Sequence, residues 1–168
     1  LLFSKIRKNH LSHALELLRT DPRAQAMDQA QRDIIRAQIA VGFYYHGDLE
    51  KASDIAQDTL ETSGEVVPLS SWVMGLISWR EGFYKKAAGH FEQAASSEYA
   101  SGWMAAAGGF WAARAHMKTA NYEKVSPWLM ISYAHPRTFY GLLATRALGK
   151  DFEFNWRRPG FTRIRLTW

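Results

Sequence analysis

Apolar and polar residues alternate along this chain with a helical period, and the helical stretches repeat. Four segments share one pattern. A small or turn-tolerant residue is followed two positions on by a bulky apolar one, and three further on by a small one. They are Asn9/Leu11/Ala14, Gly47/Leu49/Ala52, Gly82/Tyr84/Ala87 and Ala120/Tyr122/Val125. Four residues beyond the small position come Leu18, Ala56, Phe91 and Leu129, on the same helical face. The small positions are spaced 38, 35 and 38 residues apart.

The physical content of this pattern is a helical hairpin. Gly or Asn supplies a positive φ where one helix ends and the next begins. The bulky residue fills the wedge between the two helices, and the small one lets them approach. Periods of this length lie near the ~34 residues of tetratricopeptide (TPR) repeats. Gly82-Phe-Tyr84-Lys-Lys-Ala87, with Phe91 four residues further on, gives the best match, whereas Ala56, Ala120 and Val125 depart from it. The pattern predicts helices near 1–8, 11–20, 28–46, 49–62, 69–81, 84–97, 102–119, 122–134 and 137–149. Asp21-Pro22, Pro68 and Gly149 punctuate them. Pro127 falls inside one, so that helix is expected to start late or to bend. No strand-like alternation competes. The expected fold is all-α: a right-handed α-superhelix, or solenoid, of TPR-like hairpins over 1–149, with 150–168 as an extended basic and aromatic tail. An irregular helical bundle is the alternative arrangement of the same helices.

The ends of the array carry a further expectation. The first hairpin has only a stub of its leading helix, the last helix has no partner, and the first residue is Leu. A solenoid end normally needs a polar cap, so the chain is expected to be cut from a longer one, with 150–168 leading toward a missing domain.

In such hairpins the leading helices line one surface. The repeat register puts Ile34, Ala37, Val41, Tyr44 and Tyr45 there from the first full unit. Leu69, Trp72, Leu76, Trp79 and Arg80 follow from the second, and Ala107, Phe110, Arg114, Met117 and Lys118 from the third. The candidate binding residues are accordingly Tyr44, Tyr45, Trp72, Trp79, Arg80, Phe110, Arg114 and Lys118. Rings suit apolar or sugar faces, and cations suit carboxylates or phosphates. The competing reading is that these rings pack against neighbouring helices or against a domain not present.

Composition narrows the function classes. Apolar residues make up 47% of the 168, enough to bury a core, which argues against disorder. Lysine and arginine exceed acidic residues by 21 to 16, and the tail alone holds five basic residues against two acidic ones. That balance admits an anionic polymer or an acidic partner. No block of five like charges occurs and the basic residues form no stripe, so a nucleic-acid partner is not expected. Cysteine is absent, which removes disulfides, thiolate metal sites and Cys nucleophiles. No apolar run approaches the ~18 residues of an integral membrane segment, and no signal peptide opens the sequence.

Catalytic chemistry is sparse. His10 and His13 share a helix face but lack a third ligand at metal-site spacing, so solvated histidines are expected and no metal or cofactor is assigned. The carboxylates are scattered, apart from Asp151 and Glu153 in the basic tail, and glycoside chemistry needs a pair facing a cleft. Phosphate-binding, nucleophile-elbow and zinc-protease motifs are missing. Gly108-Gly109, following three alanines, reads as a place of close helix packing.

One resemblance stands beside this reading. Gly109-Phe-Trp-Ala-Ala-Arg-Ala-His116, Asn121-Tyr-Glu-Lys124, Pro127-Trp-Leu129 and His135-Pro-Arg-Thr-Phe-Tyr-Gly-Leu-Leu-Ala144 resemble the soluble lytic murein transglycosylases, in particular the α-proteobacterial type. The likeness is specific over residues 108–156 and reduces to the repeat pattern over 1–107. It implies a periplasmic parent enzyme in which a long α-superhelix carries a lysozyme-like catalytic domain. That enzyme would cleave peptidoglycan glycan strands to 1,6-anhydromuropeptides. The family's catalytic Glu-Ser motif and its Gly-Leu-Met-Gln motif are both absent here, and Tyr140-Gly-Leu-Leu-Ala144 lacks the Met-Gln. The resemblance therefore implies a non-catalytic superhelical portion, with no catalytic residue of its own. Its implied partners are peptidoglycan, the missing catalytic domain, or both. A free-standing TPR-like adaptor for a peptide or protein helix is the alternative from another class.

Overall fold

The computed structural model describes Ile6 and residues 10–152. The expected helix over 1–8 lies outside the described residues apart from Ile6, which is helical, and so does the tail beyond Phe152. Everything described is helix, turn or loop.

The helices are α1 (Leu11–Thr20), α2 (Pro22–Gln25), α3 (Gln29–His46), α4 (Leu49–Ser63), α5 (Pro68–Arg80), α6 (Tyr84–Ser96), α7 (Gly102–Lys118), α8 (Val125–Tyr133) and α9 (Phe139–Ala147). Local chemistry sets these bounds. Asp28 caps α3 through Gln31 in a reciprocal capping box. Asp48, Ser101 and Thr138 each accept a first-turn backbone N–H at the starts of α4, α7 and α9. Gly47 and Gly82 close α3 and α5 at φ values of +85° and +82°, the left-handed conformation that the repeat requires of its turn residue. Ala120 fills the equivalent place before α8 at φ +58°, against the preference of a side chain.

Two elements differ in detail from expectation. Asp21-Pro22 ends α1 but also begins α2, because the Asp21 carboxylate accepts from the Arg23 N–H and proline is tolerated in a first turn. The stretch expected as one helix from 122 opens with a 3-10 turn, Tyr122–Lys124, and becomes α-helical at Val125. Pro127 then lies in the first turn of α8, where its missing N–H costs no hydrogen bond.

Consecutive helices pack on one another, α3 on α4, α5 on α6 and α7 on α8, and each pair meets the next through α4–α5, α6–α7 and α8–α9. The leading helices also touch in sequence: α3 meets α5, α5 meets α7 and α7 meets α9. The small positions of the first three repeats, Ala14, Ala52 and Ala87, are completely buried, as are Ala56 and Phe91 four residues beyond the latter two. Tyr122, the bulky member of the fourth, is instead 69% exposed.

Phe91 organises the middle of the array. Gly75 of α5 leaves the space its ring occupies, since a Cβ there would lie 2.5 Å from the ring. Gly108 of α7 lies against the Phe91 carbonyl and Ala95, and Gly109 against Trp128 and Ser132 of α8. The double glycine thus lets α7 pack closely against α6 on one side and α8 on the other, as its sequence context suggests. Asp33, buried on α3, ties that helix to the end of α4 by accepting from the Thr62 and Ser63 hydroxyls, each at 2.7 Å. No helix among the described residues is long and apolar enough to cross a membrane.

Candidate functional site

Trp72 and Trp79 of α5 and Trp111 of α7 converge with Phe91 of α6 on one core cluster that includes Leu76, Ala87 and Ala112. Helical spacing brings them there. Trp72 and Trp79 stand two turns apart on α5, and Trp111, Arg114 and Lys118 follow one another on a face of α7. Trp79 meets Tyr84 and Trp111 edge to face, with ring centroids 5.0 Å apart in both pairs. Trp111 also lies against Phe91 at 5.8 Å, and Trp72 against Phe91 at 5.3 Å. Such pairs stabilise by about 0.5–1.5 kcal/mol beyond the area they bury.

Cations cap the cluster. The Arg114 guanidinium stands 4.5 Å from the Trp111 ring centroid and 5.2 Å from that of Trp79. The Lys118 ammonium stands 5.7 Å from the Tyr84 ring. Tyr44 of α3 packs on the same cluster from the preceding hairpin and meets Tyr45 edge to face at 5.4 Å. Burial pushes the Tyr44 phenol above its ordinary pKa, and the positive charge of Arg80 opposes that rise. Arg80, Arg114 and Lys118 are exposed, and Tyr45 is 72% exposed.

Of the eight residues singled out from sequence, seven adjoin this cluster: Tyr44, Trp72 and Trp79 pack on it, Arg114 and Lys118 lie against its rings, and Tyr45 and Arg80 reach it only through Tyr44. Phe110 does not: it lies 5.5 Å from Tyr140 and joins the Ala113, Leu129 and Ala144 cluster between α7, α8 and α9. Adjacent helical positions point about 100° apart, and Trp111 takes the place that the register gave to its neighbour. Trp111 and Tyr84 are therefore members that sequence reasoning did not assign to the face. Tyr84 was legible only as the wedge of its hairpin. The spacing of Trp111 to Arg114 and Lys118, three and seven residues, is the signal that identifies it.

The face is mostly packed rather than open. Trp79 and Trp111 are half-buried against each other and Trp72 against Phe91, and the Trp111 indole N–H is buried without an acceptor. The exposed members of the face are Tyr45, Arg80, Arg114 and Lys118. Behind it, the buried His116 of α7 meets Glu92 of α6 at 2.6 Å, joining these two helices across their interface.

His10 and His13 are exposed, and with His46 and Asp48 they line a shallow hollow at the start of α1. Among the described residues, no group of three or more His, Cys, Asp or Glu side chains is placed to hold a metal ion. These features define an all-α chain carrying an aromatic face with a cationic edge. The chain gives no significant match to a protein-family model, a curated protein or a solved structure.

Proposed function

We propose that this chain is the non-catalytic superhelical portion of an enzyme resembling the soluble lytic murein transglycosylases, and that it serves as a scaffold positioning glycan or the catalytic domain. The observation that carries the scaffold role is the aromatic face of α5–α7, packed into the core yet edged by the exposed Arg80, Arg114 and Lys118. Rings engaged with one another keep a rigid surface, while the exposed cations are free to pair with carboxylates of a cell-wall polymer or of an adjoining domain. The likeness over residues 108–156 supplies the family, the glycan and the periplasmic setting.

The finer architecture belongs to the same proposal: a right-handed, TPR-like superhelix whose leading helices line its inner side. The sequential contacts of α3, α5, α7 and α9 support it, because the helices of an array that touch across repeats lie on the inside of its curve.

The test is retention of the chain on purified sacculi at low salt, compared with a Tyr45→Ala, Arg80→Ala, Lys118→Ala triple variant. Side chains exposed at the edge are changed, so the core stays intact. The expected result is retention by the native chain and a loss of about tenfold in the variant, the size of one or two charge-assisted contacts. Equal retention, or none, removes direct glycan contact. A reading frame ending near Trp168 with no lysozyme-like domain downstream would leave the free-standing adaptor instead.

A further inference from the structure

A second hollow lies on the first hairpins, sharing no residue with the aromatic face. It has a volume of about 460 Å³, within the range of small-ligand sites. Its chemistry is divided. Leu15 and Leu18 of α1 and Ile55 of α4 present an apolar floor, and Arg19, Arg32 and Arg36 surround it. No acidic side chain among the described residues lines it.

The sequence builds this arrangement locally. Gln29, Arg32 and Arg36 fall three and four residues apart and so share one face of α3. The break at Asp21-Pro22 turns the chain away from α1, and the Gln25 amide ties the turn back by donating to the carbonyls of Leu18, at 3.1 Å, and Arg19, at 2.8 Å. Asp33 orients two of the arginines from beneath. It accepts from the Gln29 amide at 2.9 Å, and the Gln29 carbonyl oxygen in turn accepts from Arg32 at 2.9 Å. Arg36 reaches Asp33 at 3.4 Å and Asp58 at 2.9 Å. Arg32 also donates to the Met27 carbonyl. These bonds occupy only part of each guanidinium fork. The Arg19 guanidinium, by contrast, has no hydrogen-bond or ion-pair partner among the described residues.

We infer that this hollow is a binding site for a small carboxylate carried on an aliphatic body. The unspent donors of three guanidinium groups suit a planar two-oxygen head. The leucine and isoleucine floor favours a hydrocarbon chain beside that head, which a bare inorganic anion lacks. The head enters between Arg19 and Arg32, and the body lies on Leu15, Leu18 and Ile55. Such a carboxylate has two natural sources, a free fatty acid and the C-terminus of a peptide ending in an apolar residue.

Calorimetric titration of the full chain with octanoate, acetate, octanamide and N-acetyl-alanyl-leucine tests the site. The expected result is that octanoate or the dipeptide binds at least about tenfold tighter than acetate, which lacks the body, and than octanamide, which lacks the charge. The tighter of the two identifies the source, and either order supports the site. Arg19→Glu is expected to weaken that binding by about tenfold with an unchanged melting temperature, since the exposed Arg19 side chain holds nothing in the fold. Octanoate and the dipeptide both binding no better than acetate, or no better than octanamide, would overturn the inference. Unchanged affinity in the Arg19→Glu protein would do the same.

Discussion

Asp33 is fully buried whereas the other carboxylates among the described residues lie at or near the surface, and its neighbours explain how it is tolerated. Burial pushes its carboxyl pKa up. Hydrogen bonds from Ser63, Gln29 and Thr62, together with the charge of Arg36, outweigh that and hold it below the ordinary value. An acid whose pKa is depressed on folding adds stability that is complete above the unfolded pKa of about 3.9. That stability is lost as the pH falls through the lower folded value. Replacing Asp33 with Asn turns a group that only accepts into one that must also donate, facing donors. A loss of about 2–4 kcal/mol at neutral pH is expected. Thermal melts at pH 7 and pH 3 check the sign: the gap between native and Asp33→Asn proteins should narrow at the lower pH. Equal gaps at both would mean that the carboxylate charge contributes nothing.

At the scale of the elements, two glycines separate packing from propensity. Gly89 of α6 faces open space, and Gly108 of α7 lies where a Cβ would stand 2.8 Å from the Phe91 carbonyl and 2.9 Å from Ala95. Both lie in helix interiors, so alanine removes the same backbone freedom from the unfolded chain at each. Gly89→Ala is expected to stabilise by about 0.5–1 kcal/mol. Gly108→Ala is expected to destabilise by about 1–2 kcal/mol, because overpacking at a backbone contact exceeds that gain. Urea unfolding midpoints of the two variants should move in opposite directions, and a shift of the same sign in both would show that α6 and α7 can separate at little cost. The close approach was legible in the sequence, where a double glycine follows three alanines. Most helix limits were legible too, because caps and turn glycines act within a few residues. The short α2 was not: four residues are too few to show a period, and its Asp-Pro start reads equally well as a stop. Phe110 was misplaced for a related reason. Periodicity defines a face to within one position, and only the packing of α8 and α9 decides whether Phe110 or Trp111 joins the aromatic cluster.

At the scale of the whole molecule, contacts among the described helices run along the chain in order, each helix meeting the next one or two and none farther away at more than a marginal level. That order was implied by the repeat spacing. The basic hollow was not, because its parts come from α1, α2, α3 and α4 and its arginines read singly as solvated charges. A molecule with such nearest-neighbour contacts unfolds unevenly, since an end element has neighbours on one side only. The largest share of interhelical contact lies in α5–α8, where Phe91, the tryptophans and the two close glycines concentrate. Amide hydrogen exchange is expected to be slowest in α5, α6 and α7 and faster by about tenfold or more in α1, α2 and α9. Phe91→Ala, which empties the space that Gly75 provides, should remove about 3–5 kcal/mol and erase most of the central protection. The flanking helices α1 and α9 should then change less, because neither belongs to the Phe91 cluster. Uniform acceleration from α1 to α9 would instead show one cooperative unit, in which the local order of contacts does not govern how stability is distributed.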